Sequence, residues 1–129
     1  MLQSSTPIFR IFDEAKAREF YLEFLGFKVD FEFRFEPGTP LYMGVSRDEC
    51  VIHLSEHVGD CCPGASIRIS VDDLESLHGE LVAKQYKYYR PSIELMPWQS
   101  RDMKVIDPFR NTITFTESLD ESESGSTDV

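Results

Sequence analysis

His53-Leu54-Ser55-Glu56-His57 carries the H-x-x-E-H spacing with which two histidines and a glutamate hold and use zinc. That chemistry needs both histidines on one helical face, a turn apart. Here the segment continues Cys50-Val51-Ile52, a run that reads as strand. At about 3.3 Å per residue, histidines four positions apart in a strand stand ~13 Å from each other and cannot share an ion. His53 is then a single imidazole, suited to a transition metal or to the wall of a pocket. His57 and His78 are expected to face solvent. Cys50, Cys61 and Cys62 are odd in number and include an adjacent pair, a poor disulfide framework. Cys61 and Cys62 stand in a Gly/Pro loop without a base or helix terminus to make a thiolate nucleophile.

The other chemistry on offer is aromatic. Trp98, the only tryptophan, lies in the loop Met96-Pro97-Trp98-Gln99, where its flat face can stack on an aromatic or cationic ligand or pack against a sheet. Phe31, Phe33 and Phe35 read as the floor or wall of a cup, with Glu32 and Glu36 beside them to meet a cation. Tyr86, Tyr88 and Tyr89 form a second cluster of the same kind.

These residues are placed by a plan that runs twice. Ile8–Phe12 reads as a strand, and Asp13 caps a helix whose apolar positions Ala17, Phe20, Tyr21, Phe24 and Leu25 end at Gly26. Phe27 to Phe35 alternates strictly, which puts Phe27, Val29, Phe31, Phe33 and Phe35 on one face. Pro37-Gly38-Thr39-Pro40 is a turn; Leu41–Val45 and Cys50–Leu54 are strands. After the loop at 59–64 comes a strand with Ile67, Ile69 and Val71. A helix follows, capped by Asp72 or Asp73, with Leu74, Leu77, Leu81 and Val82 as its stripe. Strands near Tyr86–Arg90, Met103–Ile106 and Thr112–Thr116 complete the second run. Each run is one apolar-faced sheet with a helix, and two such faces pairing make a cup.

The 129 residues are enough for one domain. The formal net charge is -10, and residues 117–129 hold five acidic residues and no basic one, which leaves residues 1–116 at -5. An acidic body repels phosphate backbones and attracts cations, so nucleic acid is excluded as a partner. No secretory signal or membrane-length apolar run is visible. With the cysteine pattern, this predicts a cytoplasmic protein. Residues 118–129 are polar and acidic, and are expected to be a disordered tail.

The Pro-Trp loop, the short strand after it, the turn Asp107-Pro108-x-x-Asn111 and the final strand resemble the end of a bleomycin-resistance protein, in the glyoxalase / vicinal-oxygen-chelate superfamily. Phe20-Tyr21-x-x-x-Leu25-Gly26-Phe27 and Ser70-Val71-Asp72-Asp73-Leu74 carry the likeness across residues 6–117. It implies an α+β fold of two βαβββ modules, about 6–57 and 65–117, forming one cupped mixed sheet in a single domain over 1–117. The turn of that family has Gly where this chain has Arg110, which predicts a changed hairpin there. The superfamily's metal enzymes take ligands from the first, fourth, fifth and eighth strands, positions that the resemblance assigns to Thr6, His53, Ser66 and Thr114. Three neutral hydroxyls are poor ligands, and a catalytic site needs about three protein ligands.

The resemblance therefore implies a non-enzymatic small-molecule binding protein with no metal and no cofactor. It would sequester a cationic glycopeptide drug of the bleomycin type, and so confer antibiotic resistance, as a homodimer. The ligand would meet Trp98, Phe31, Phe33, Phe35, His53 and Glu32. The alternative is a metal-dependent lyase, isomerase or dioxygenase of the same superfamily, with His53 joined by Glu56 or Glu94.

Overall fold

The computed structural model describes residues 1–85 and 91–118. In chain order the elements are β1 (Ile8–Arg10), α1 (Glu14–Arg18), a π-helical continuation (Glu19–Phe24), β2 (Lys28–Phe33), β3 (Tyr42–Arg47), β4 (Cys50–Ser55), β5 (Ser66–Ser70), α2 (Leu74–Ala83), β6 (Ile93–Met96), β7 (Ser100–Ile106) and β8 (Thr112–Ser118). Hydrogen bonding joins the strands as two four-stranded sheets, β1-β4-β3-β2 and β5-β8-β7-β6. In the first, β1 runs parallel to β4 and the other pairs are antiparallel. This is the expected α+β fold of two βαβββ modules, but hydrogen bonding divides the strands into two four-stranded sheets where one cupped sheet was expected. The tyrosine cluster at 86–89, the strand expected near it and the tail beyond Ser118 lie outside the described residues.

The chain divides into two compact units, Met1–Ser66 with Ile106–Thr112, and Ile67–Val105 with Ile113–Val129. In the first, the Asp13 side chain accepts the Lys16 N–H at 3.0 Å and so caps α1. The apolar stripe falls as its spacing predicts: Ala17, Phe20, Tyr21, Phe24 and Leu25 are all buried. Phe9, Ile11, Met43, Val45, Ile52 and Leu54 supply the sheet side of this core. Each large apolar side chain so buried contributes about 1.5–3 kcal/mol before entropy is charged against it. The helix widens into π turns at Glu19–Phe24 and stops at Gly26, whose φ of 78° favours glycine.

Tyr21 also reaches the turn that precedes β8. Its hydroxyl donates to Asp107 Oδ2 at 2.6 Å. The same carboxylate accepts the N–H groups of Phe109 and Asn111 and the Asn111 side-chain amide, each at 2.8 Å. Asn111 further donates to the Arg10 carbonyl at 2.9 Å and accepts the Ala65 N–H at 3.2 Å. Arg110, where the resemblance has Gly, sits at φ 74°, the left-handed region a glycine enters freely.

In the second unit Asp73, rather than Asp72, caps α2 by accepting the Ser76 N–H at 3.1 Å. The stripe is narrower than expected. Leu74 and Leu81 are buried and Leu77 is half-buried, but Val82 is exposed. His78, expected in solvent, is bonded through Nε2 to the Pro91 carbonyl at 3.1 Å. Strand β6 was not legible: Ile93-Glu94-Leu95-Met96 is four residues long and hemmed by Pro91 and Pro97. It pairs with β7 through Met96↔Ser100, which leaves Pro97-Trp98-Gln99 as a three-residue hairpin loop. Gln99 takes the left-handed position, φ 68°, and its N–H donates to the Met96 carbonyl at 3.1 Å.

Candidate ligand-binding face

The strict alternation expected through β2 breaks at Asp30. Lys28 pairs with Ser46 and Val29 with Val45, but the next pair is Phe31 with Gly44, so Asp30 is a bulge without a partner. One extra residue shifts the side-chain phase by one position. Val29 therefore stays on the side of Val45 and Met43. Phe31 and Phe33 turn to the other face, beside Gly44 and Tyr42, and Gly44 in turn pairs with His53. The Asp30 carboxylate, bonded to the Ser46 hydroxyl at 3.1 Å and the Lys28 ammonium at 3.2 Å, is held below the usual carboxylate range chiefly by the Ser46 bond.

This face is an assembly of rings. Phe31 lies across Gly44 so closely that a Cβ there would collide with the edge of its ring at Cε2. Its ring is stacked with Tyr42 at 6.2 Å between centroids and 13° between planes. It meets His53 edge-on at 5.2 Å. Tyr42 Oη and His53 Nδ1 share a hydrogen bond of 2.8 Å. Beyond the end of β2, Phe33 and Phe35 form a T-shaped pair at 5.0 Å, and Phe35 turns to His57 at 6.1 Å. Despite these contacts Phe31, Phe33 and Phe35 remain 42%, 49% and 74% exposed. A sheet face with three half-open phenyl rings beside a hydrogen-bonded Tyr–His pair offers flat, electron-rich surface to a ligand.

The polar fringe is acidic. Ser55 donates to Asp60 Oδ2 at 2.6 Å and in turn accepts the His57 N–H at 3.0 Å. Burial, followed by the Asp60 charge, pushes the Tyr42 phenol up, so the ring stays neutral. Burial and Asp60 likewise push up the Cys61 thiol, which makes it a poor nucleophile.

The candidate residues are thus divided. Phe31, Phe33, Phe35 and His53 are brought together. Glu32 is not: it pairs with Met43 on the opposite face and binds Arg18 at 2.8 Å, away from the rings. Trp98 belongs to the second unit, at the tip of the β6–β7 hairpin, 59% exposed rather than packed down. Tyr42 and Gly44 escaped notice in the sequence. The signal was there in Gly44, a glycine inside a strand, which often marks a close approach.

The residues do not fit a metal centre. In the β1–β4 register the neighbour of His53 is the apolar Ile8, while Thr6 is exposed ahead of the strand. His53 Nδ1 is engaged by Tyr42. Ser66 is exposed, and Thr114 is buried. Among the described residues no group of three or more His, Cys, Asp or Glu is placed to hold an ion. His53 lies in β4 and Glu56 accepts the Leu41 N–H at 2.8 Å, so the H-x-x-E-H run is strand and turn, not a zinc helix.

Residues 1–122 match the family model described as "Glyoxalase superfamily protein". The chain belongs to the glyoxalase superfamily. Among solved structures, this superfamily member is similar to a bleomycin-binding protein from bleomycin-producing Streptomyces verticillus, complexed with copper(II)-bleomycin. That likeness has 27% identity and a TM-score of 0.68, and covers 92% of this chain and 98% of that one. A bleomycin-binding protein complexed with bleomycin is 22% identical, with a TM-score of 0.69 over 91% and 99% of the two chains. A glyoxalase-related enzyme from Clostridium phytofermentans is 18% identical, with a TM-score of 0.70 over 92% and 97%. Comparison with curated proteins gives no match. No described helix is long and apolar enough to cross a membrane.

Proposed function

We propose that this superfamily member binds, without chemical turnover, a cationic small molecule bearing flat heteroaromatic rings, of the bleomycin type. The observation that carries the reading is the ring face of the first module. Phe31 is seated on Gly44 and flanked by Tyr42 and His53, yet left half-open. Stacking on such rings contributes about 0.5–1.5 kcal/mol per aromatic pair beyond area burial, and a cation over a ring about as much. The body charge of -5 adds a long-range attraction for a cation. Trp98, exposed on its hairpin, is a second stacking residue in this reading. Two of the similar solved proteins bind bleomycin. The superfamily resemblance further suggests a homodimer that works by stoichiometric sequestration in the cytoplasm, where the free Cys50, Cys61 and Cys62 stay reduced.

Calorimetric titration with metal-free bleomycin tests this. Saturable binding near one ligand per chain, weakening as salt rises and at least tenfold weaker in Phe31→Ala, is the expected result. A flat titration at both low and physiological salt refutes the bleomycin assignment. Unchanged affinity in Phe31→Ala refutes the face.

A further inference from the structure

A different part of the first unit carries an unsatisfied charge. At the sheet end where β1 and β2 finish and β3 begins, an open cleft of about 430 Å³ is lined by Arg10, Phe12, Glu14, Arg34, Pro40 and Glu56, among others. Most of its charged groups are committed. Glu14 binds Arg18 and Arg34, and Arg34 also donates to the Thr39 carbonyl at 2.7 Å. Glu56 is bonded to the Leu41 N–H.

Arg10 is the exception. Its guanidinium carbon stands 4.5 Å above the Phe12 ring, and Phe12 leans in turn on Phe109 at 6.0 Å. Among the described residues its side chain makes no hydrogen bond or ion pair, and its Nε is buried with no acceptor. A buried cationic donor without an acceptor is costly, and a guanidinium already held against a ring has lost much of the freedom that binding would otherwise cost.

We propose that this cleft is a binding site for a small organic monocarboxylate with an apolar, planar body. Arg10 supplies the counter-charge, and its two terminal amino groups, not the buried Nε, are the coplanar donors a carboxylate accepts. Phe12 and Pro40, both exposed, supply apolar wall. The volume lies within the range of small-molecule pockets. The ligand is a monoanion because one cation is uncommitted while the Glu14 and Glu56 carboxylates stand in the same lining. A dianionic phosphate would meet both. Arg10 registers with Ser55, and Ser55 with Tyr42, so the cleft borders the ring face at its β1 edge, and the separate variants Arg10→Met and Phe31→Ala tell the two proposals apart.

Benzoate is the probe, with uncharged benzamide and inorganic phosphate as controls, followed by amide NMR shifts on the isotope-labelled full chain. Benzoate is expected to saturate shifts at Phe12, Thr39 and Glu56, with benzamide and phosphate each at least tenfold weaker. Arg10→Met should weaken benzoate at least tenfold. Glu56→Gln, which keeps an acceptor for the Leu41 N–H, should tighten it several-fold. Absence of saturable shifts overturns the proposal, as do equal affinity for benzamide, equal affinity for phosphate, and weaker binding in Glu56→Gln. If Arg10→Met does not fold, the Glu56→Gln result and the ligand series decide.

Discussion

Asp107 and Phe31 are both held tightly by neighbours in the first unit, but they break opposite rules. Asp107 is an ionisable group inside the protein, and its carboxylate takes four hydrogen bonds, from Tyr21, Phe109 and Asn111. Phe31 is a large apolar ring left partly in water, although Gly44 has given up its side chain to make room for it. The first arrangement is explained by the fold alone: a polar knot with every acceptor used ties the Asp-Pro turn to the helix and β1. The second is not. Nothing in the first unit covers the ring, and a sheet that only needed stability would bury it or replace it. Fully satisfied polar burial marks structure here, and ordered apolar exposure marks the candidate site.

Four predictions bear on that contrast. Asp107→Ala strands the Tyr21 hydroxyl, two backbone N–H groups and the Asn111 amide. Chemical denaturation is expected to show a loss on the order of 3 kcal/mol, from several bonds worth ~1 kcal/mol each. A loss below ~1 kcal/mol would erase the structural half of the contrast. Gly44→Ala should behave in reverse. The colliding atom is the outer edge of a half-exposed ring, so Phe31 can swing away and folding stability should change by under ~1 kcal/mol. Bleomycin affinity should fall about tenfold, ~1.4 kcal/mol, because the stacked face is gone. Equal damage to folding would make Phe31 a core residue.

Within the knot, Arg110→Gly relieves a left-handed residue and should stabilise the protein by about 0.5 kcal/mol, visible as a small rise in Tm. The smallest effect is in acid. Burial raises the Asp107 carboxyl, an effect its hydrogen bonds oppose but do not cancel. Its contribution to stability is therefore complete below the ordinary carboxylate pKa and is lost as pH rises through the raised folded value. Glu14, lowered first by its bond to Arg18, behaves oppositely. Its contribution is present above the ordinary value and is lost as pH falls through the lowered one. Denaturation curves across the acid range should lose stability less steeply in Glu14→Gln and more steeply in Asp107→Asn. Parallel slopes in the two variants would contradict this assignment.

Much of the fold could be read from local pattern. Asp13 as a cap, the stripe from Ala17 to Leu25, the stop at Gly26 and the Asp107–Asn111 turn are short-range features, set by residues within a few positions of each other. The strand β6 was hidden because four residues between prolines carry too little period to read. In the candidate site, the aromatic identity of Phe31, Phe33 and Phe35 and the single imidazole of His53 were plain in the chain. The grouping was not. Strict alternation put Val29 with the rings, and proximity in sequence put Glu32 beside them. One bulged residue sent Val29 to the core side and left Glu32 with Arg18.

By itself the sequence determined most of the element types, the repeated module and the acidic charge, since these follow from residue identity and spacing of a few positions. Only the tertiary structure decided which ring stands on which face, that Gly44 is the seat of Phe31, and that Arg10 meets no anion among the described residues. Those outcomes depend on strand register and cross-strand pairing, where a shift of one residue reverses every side chain and no local propensity records it.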